Sequence, residues 1–193
     1  MKRGIKINGM EKIPIYKTQG IIIKRADLGQ ADRLLTIYTK EYGKILVRAK
    51  GVNKNESKLR SLIEPFNLCE FSLAKSKIID VLAGVYPIKE FVFLRQNLES
   101  LSLSIYFCEL VDKLIPAPER DPKIWALLVR AMEALDESRK DLGKIKTAFE
   151  EKLLEFLGYG DLKNQKKSAA GLIQQLAGEE IKTLKFLEKT VRL

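Results

Sequence analysis

Residues 44–60 place Lys44, Arg48, Lys50, Lys54, Lys58 and Arg60 against a single acid, Glu56. Tyr38 and Tyr42 stand just before this run and Phe66 just after it. Cations at such density neutralise phosphates and release their counterions, and a ring among them gives an unpaired base a surface to stack on. The chemistry is that of a single-stranded nucleic acid site. Two plainer readings fit the same charges: a lysine-rich solvated surface of the kind heat-adapted proteins carry, or a positive face for an acidic protein partner. The basic half also holds three carboxylates, Asp27, Asp32 and Asp80, which a metal-dependent nuclease would have to gather. Asp27 and Asp32 flank Gly29 in a turn-like segment and Asp80 lies in a strand-like run, so turn formation and charge balance account for them.

What is missing excludes more. The chain has no histidine among its 193 residues, which removes Ser-His-Asp and Cys-His nucleophile pairs, a histidine general base and the HExxH zinc site. Cys69 and Cys108 lie far apart in apolar runs and read as buried thiols. Two thiols with no histidine are too few soft ligands for a structural zinc, so no cofactor is expected. Neither GxxxxGK[ST] nor GxGxxG occurs. No apolar run approaches the roughly 20 residues of a membrane span, and the first nine residues lack a signal peptide's apolar stretch. A cytoplasmic protein, not an enzyme, is expected.

The charge is divided as sharply as the composition. Residues 1–97 carry 19 Lys and Arg against 9 Asp and Glu, a balance of +10, whereas residues 98–193 carry 16 of each. Element patterns divide at the same place. Ile21-Ile22-Ile23, residues 34–39, 44–49, 66–73 and 78–86 are rich in β-branched and aromatic residues, the last run stopping at Pro87. Glu41-Tyr42-Gly43 is a hairpin turn with Gly where a positive φ is needed. Five strands with short turns predict a small antiparallel barrel or sandwich. Period two puts Ile45, Val47 and Ala49 on one face of the third strand and Lys44, Leu46, Arg48 and Lys50 on the other, with Arg33 and Tyr38 on the partner strand beside them.

From residue 97 the apolar spacing becomes helical. Asn97 caps a helix that is apolar nearly all round and therefore central. Asp121-Pro122 opens a second, residues 142–157 form a third stopped by Gly158 and Gly160, and residues 168–177 form a fourth stopped by Gly178. A last helix carries Ile181, Leu184, Leu187 and Val191. The linkers fall at 87–95 and 159–167. The expected architecture is α+β: residues 1–90 a small antiparallel β-barrel and residues 91–193 a C-terminal helical bundle.

In the first half, Thr18-Gln19-Gly20-Ile21-Ile22-Ile23-Lys24-Arg25, Asp27-Leu28-Gly29-Gln30-Ala31-Asp32-Arg33, Tyr42-Gly43-Lys44, Arg48-Ala49-Lys50-Gly51-Val52 and Ile63-Glu64-Pro65-Phe66 follow one another. Leu153-Leu154-Glu155-Phe156-Leu157-Gly158-Tyr159 and Leu184-Lys185-Phe186-Leu187 continue the series. In that order and spacing they resemble the RecO family of bacterial recombination mediators over most of the chain. The resemblance implies an OB-fold barrel followed by a helical domain. It implies binding of single- and double-stranded DNA and annealing of complementary strands. The implied partners are RecR, the acidic tail of the single-strand-binding protein and, indirectly, RecA, at a cytoplasmic, nucleoid-associated location with no membrane. The family's basic barrel positions would map onto Lys24, Arg25, Arg33, Arg48 and Lys50. With the charge run, this makes Lys24, Arg25, Arg33, Lys44, Arg48, Lys50, Lys54, Lys58 and Arg60 candidate phosphate contacts, and Tyr38, Tyr42 and Phe66 candidate stacking rings. One departure is plain: many members carry a four-cysteine zinc module after the Leu-Gly-Tyr helix, and here Lys163-Asn164-Gln165-Lys166-Lys167 stands in its place without a cysteine.

Overall fold

The structure, a computed structural model, describes residues 6–7, 10–11, 13–52, 59–137, 141–160, 168–178 and 181–190. Two short strands, β1 (Lys6–Ile7) and β2 (Met10–Glu11), pair antiparallel ahead of the main sheet, an element the sequence does not announce. Five longer strands follow: β3 (Ile15–Leu28), β4 (Asp32–Thr39), β5 (Gly43–Ala49), β6 (Leu68–Ala74) and β7 (Asp80–Lys89). They close in the order β3-β4-β5-β7-β6, antiparallel everywhere except β5 against β7, which pair parallel at Val47↔Asp80 and Arg48↔Val81. A closed five-stranded Greek-key barrel of this order is an OB-fold.

Local chemistry explains the turns. Gly43 has φ +66°, and the Thr39 hydroxyl both accepts from the Tyr42 N–H (3.1 Å) and donates to the Gly43 carbonyl (2.9 Å), closing the β4–β5 hairpin. The expected stop at Pro87 is not observed. β7 runs on to Lys89, with Pro87 opposite Cys69 at a register shift between Leu68 and Cys69. A bulge is where a strand tolerates a residue that has no N–H. The segment expected to link the halves is likewise structured, as the end of β7 and a short helix α1 (Val92–Gln96).

The helices obey their caps. The Asn97 side chain accepts from the Ser100 N–H at the start of α2 (Leu98–Leu114). Asp121 does the same for Lys123 and Ile124 at the start of α3 (Pro122–Asp136), and Asp141 for Lys144 in α4 (Leu142–Phe156). α5 (Ala169–Ala177) ends at Gly178, φ +62°; α6 is Lys182–Thr190. Val191, expected in this helix, and most of the expected second linker lie outside the described residues. α2 is the central helix: even its Ser102 and Ser104 are buried, their hydroxyls returned to the Leu98 and Leu101 carbonyls.

The core has two parts. One fills the barrel with Ile22, Leu35, Ile37, Val47, Phe71 and Leu73. The other begins on the barrel's outer wall at Ile21, Ile23, Tyr38, Phe66 and Leu68 and continues through the helices. This explains why Ile21-Ile22-Ile23 is a continuous apolar run where an exposed strand would alternate, since both faces of β3 are covered there. Cys69 belongs to the first part and Cys108 to the second. Both are free and buried, and burial pushes both thiols up, that of Cys69 to about 12.

Candidate nucleic-acid interface

β5 follows its period. Val47 and Ala49 are fully buried inside the barrel and Ile45 is half-buried against it, while Leu46 and Arg48 face outward. The register Tyr38↔Lys44, Thr36↔Leu46 and Leu34↔Arg48 continues that outer face onto β4. Arg33, however, is paired with Ala49, so it belongs to the opposite face from Arg48.

The half of this surface near the β4–β5 turn is covered. Lys44 donates to the Asp112 backbone carbonyl of α2 and lies 3.6 Å from its carboxylate, with 11% of its side chain exposed. Lys24, from β3, donates to the same carboxylate at 2.9 Å. Tyr38 is fully buried, its ring centroid 6.5 Å from that of Trp125 on α3, and burial pushes its phenol up to about 12. The reading of Tyr38 as a stacking platform is therefore corrected: it stands on the outer face, but the helices pack over that face. Arg25 is ion-paired with Glu64. Arg33 is 8% exposed, with Nε 3.5 Å from Asp27 and Nη1 3.6 Å from Glu64, so it too is removed from the surface. Phe66 is 7% exposed at φ +76°, its N–H donating to the Ile22 carbonyl and its ring beneath the Arg95 guanidinium; it is a core residue.

The other end of β5 is open. Arg48 donates from Nε (2.7 Å) to Asp32 Oδ2 and has Nη2 2.6 Å from the same oxygen, while Asp32 Oδ1 accepts from the Gly51 N–H (2.8 Å). The Gly51 N–H and then the Arg48 guanidinium hold the Asp32 carboxyl below the usual carboxylate range. Arg48 still exposes 45% of its side chain. Lys50 and Arg60 are exposed, and among the described residues neither has a carboxylate within 4 Å. Lys54 and Lys58 fall outside the described residues. The open end thus presents Lys50 and the exposed part of an Arg48 whose charge Asp32 offsets, and Arg60 adds an exposed cation in the segment that follows. Asp32 is committed to the β5 end, and Asp80 accepts from Tyr16 (2.6 Å), Ser76 (2.9 Å) and Lys75 (3.2 Å).

Tyr42 is also exposed, but at the start of β5, where it meets Tyr16 edge to face with centroids 4.8 Å apart. Lys75 from the β6–β7 turn and Arg120 from the α2–α3 loop come to the same place. The sequence gives no signal for Arg120, which is 78 positions from Tyr42. For Tyr16 the only signal is an aromatic in the strand-forming stretch before Gly20.

A closed OB-type barrel with a cationic open end, fused through its wall to a helical domain, defines a two-part OB-barrel protein. Two family models describe these parts, recombination protein O N terminal over residues 10–91 and recombination protein O C terminal over residues 95–165. The chain belongs to the RecO family. It is 32% identical over 145 residues to the DNA repair protein RecO of Pelotomaculum thermopropionicum, covering 75% of this chain and 56% of that protein. It is 36% identical over 151 residues to the DNA repair protein RecO of Dehalococcoides mccartyi, covering 78% and 59% respectively. The chain therefore matches less than two thirds of these relatives' length.

Proposed function

We propose that this protein is a non-enzymatic recombination mediator of DNA repair. In this reading it binds single- and double-stranded DNA at the open end of the barrel, anneals complementary strands, and helps load RecA on coated strands together with RecR and the acidic tail of the single-strand-binding protein. It needs no metal or other cofactor for this and works in the cytoplasm, at the nucleoid; among the described residues no helix is long and apolar enough to cross a membrane. The observation that carries the reading is the exposed trio Arg48, Lys50 and Arg60 on an OB-barrel of a family whose relatives are named DNA repair proteins. Contacts of this kind read phosphates and not bases, which suits a protein that acts at any damaged site.

A second reading has its own support. A cavity of about 360 Å³ between β3, α2 and α6 has an apolar floor of Ile23 and Ile105 and includes Lys24, Lys113 and Lys182, alongside Glu109 and Asp112. An acidic peptide with an apolar end has the matching chemistry.

Fluorescence anisotropy of a labelled single-stranded oligonucleotide across salt concentrations separates the two. Replacing Arg48, Lys50 and Arg60 by alanine should make the slope of log K against log salt shallower by about 2, at about 0.7 per lost phosphate contact. An unchanged slope would remove the open end from the DNA site. If the wild-type protein binds no DNA even at low salt but binds the acidic peptide, the second reading replaces the first.

A further inference from the structure

At the opposite end of β5 from Lys50 lies a cavity of about 520 Å³, within the roughly 300–1,000 Å³ range of small-ligand sites. Its apolar wall is Ile45 and Pro118, and its aromatic wall is the edge-to-face pair Tyr16 and Tyr42. Tyr16 is fixed by the 2.6 Å hydrogen bond it donates to Asp80. Tyr42 is 43% exposed, so part of its ring is open to a ligand. Two cations flank the rings. Lys75 Nζ lies 5.6 Å from the Tyr16 ring centroid with 61% of its side chain exposed. Arg120 donates from Nε to the Lys40 carbonyl (3.1 Å) and, among the described residues, has no carboxylate within 4 Å.

Two carboxylates, Glu41 and Asp80, also line the cavity, so it is no reservoir of positive charge. Glu41 accepts from the Thr18 hydroxyl (2.5 Å) and the Gln19 N–H (3.3 Å), and Asp80 from Tyr16, Ser76 and Lys75. Apolar and aromatic walls with balanced polar groups suit a flat heteroaromatic ring with amino donors. The open end of β5 has the converse character, with exposed cations in place of rings. The two ends are six residues apart along an extended strand, about 20 Å.

We propose that this cavity takes the bases of a second single strand of DNA, stacked on Tyr42, while the open end of β5 holds the backbone of the first. The proposal rests on the DNA reading above and gives annealing a physical basis: one barrel presents one strand by its phosphates and the other by its bases. A base site is weakly screened by salt, because stacking releases few counterions.

The test uses the full chain and two non-complementary oligonucleotides, one with a donor and one with an acceptor dye. Energy transfer reports both strands on the protein, and anisotropy of one alone reports the tighter site. The wild-type protein should bridge the two. The double variant Tyr42→Ala, Arg120→Ala should lose bridging by about tenfold, the scale of one lost base stack, with single-strand affinity kept. Tyr42→Phe, which retains the ring, should keep bridging and shows that the fold tolerates change there. Bridging that survives the double variant overturns the proposal, as does a wild-type protein that binds one strand and never bridges. Absence of binding to either strand overturns the DNA reading itself.

Discussion

Lys44, near the start of β5, and Lys50, just past its end, stand six residues apart, and their surroundings differ. Lys44 is held by the Asp112 carbonyl and carboxylate of α2, and with Lys24 it helps fasten the barrel to the helices. Lys50, next to Arg48, is exposed beyond that contact, and so is Arg60 in the segment that follows. Cations of the same type, six residues apart, are cement under the helices and exposed charge beyond them. What separates the two lysines is whether a carboxylate from elsewhere in the chain comes within reach; Arg48 keeps its pair with Asp32 and still exposes 45% of its side chain.

The sharpest way to break this comparison is at the two glycines that bracket β5. Gly43 has φ +66°, and a Cβ there would overlap the Glu119 backbone carbonyl in the loop between α2 and α3. Gly43→Val should cost about 3 kcal/mol or more, from the left-handed backbone and the clash together. At Gly51, φ +68°, an added methyl group would meet nothing within 4 Å, so Gly51→Ala should cost only about 1–2 kcal/mol for its backbone. Denaturant melts that rank the two equally would show that the β4–β5 turn is not docked on that loop.

A smaller effect should separate the lysines themselves. Lys44→Ala leaves Asp112 without one of its two cations in a partly desolvated interface and should cost about 1–3 kcal/mol. The salt slope of DNA binding should not move. Lys50→Ala should shift stability by no more than about 0.5 kcal/mol and flatten the salt slope by about 0.7. The reverse pattern would assign Lys44 to the DNA and Lys50 to the fold.

The smallest effect lies at high pH. Burial raises the Tyr38 phenol from 10.0 to about 12 and the Cys69 thiol from 9.0 to about 12. In each case the folded state holds the proton more tightly than the unfolded one. That stability is present in full below the unfolded value and is lost as pH rises through the window up to about 12. The wild-type protein should weaken from pH 9 upward, and Tyr38→Phe should weaken less than it above pH 10. Equal losses in urea melts at pH 9 and pH 11 would place Tyr38 in water and reopen it as a stacking ring.

Much of this is legible in the sequence because it is written locally. The β4–β5 hairpin follows from Gly43, the caps from Asn97 and Asp121, and the inward and outward faces of β5 from period two. Arg48, Lys50 and Arg60 stand out by charge alone. Sequence reasoning fails where a distant segment decides. Tyr38 is covered by Trp125, Lys44 is claimed by a residue 68 positions on, and the cavity at Tyr42 needs Arg120. Arg33 fails for another reason: its face depends on the pairing with Ala49, which no count of cations contains. Pro87 misleads because a bulge in the register excuses it from the ladder.

Glu109, midway along α2, accepts hydrogen bonds from the Lys182 and Thr183 N–H groups and from the Thr183 hydroxyl. The first turn of α6 is thus capped by a residue more than 70 positions earlier. A nine-residue helix is too short to persist alone in water, so α6 owes its helical state to the surface it rests on. One carboxylate thus makes the last helix conditional on the central one: without Glu109 the first turn of α6 loses its cap.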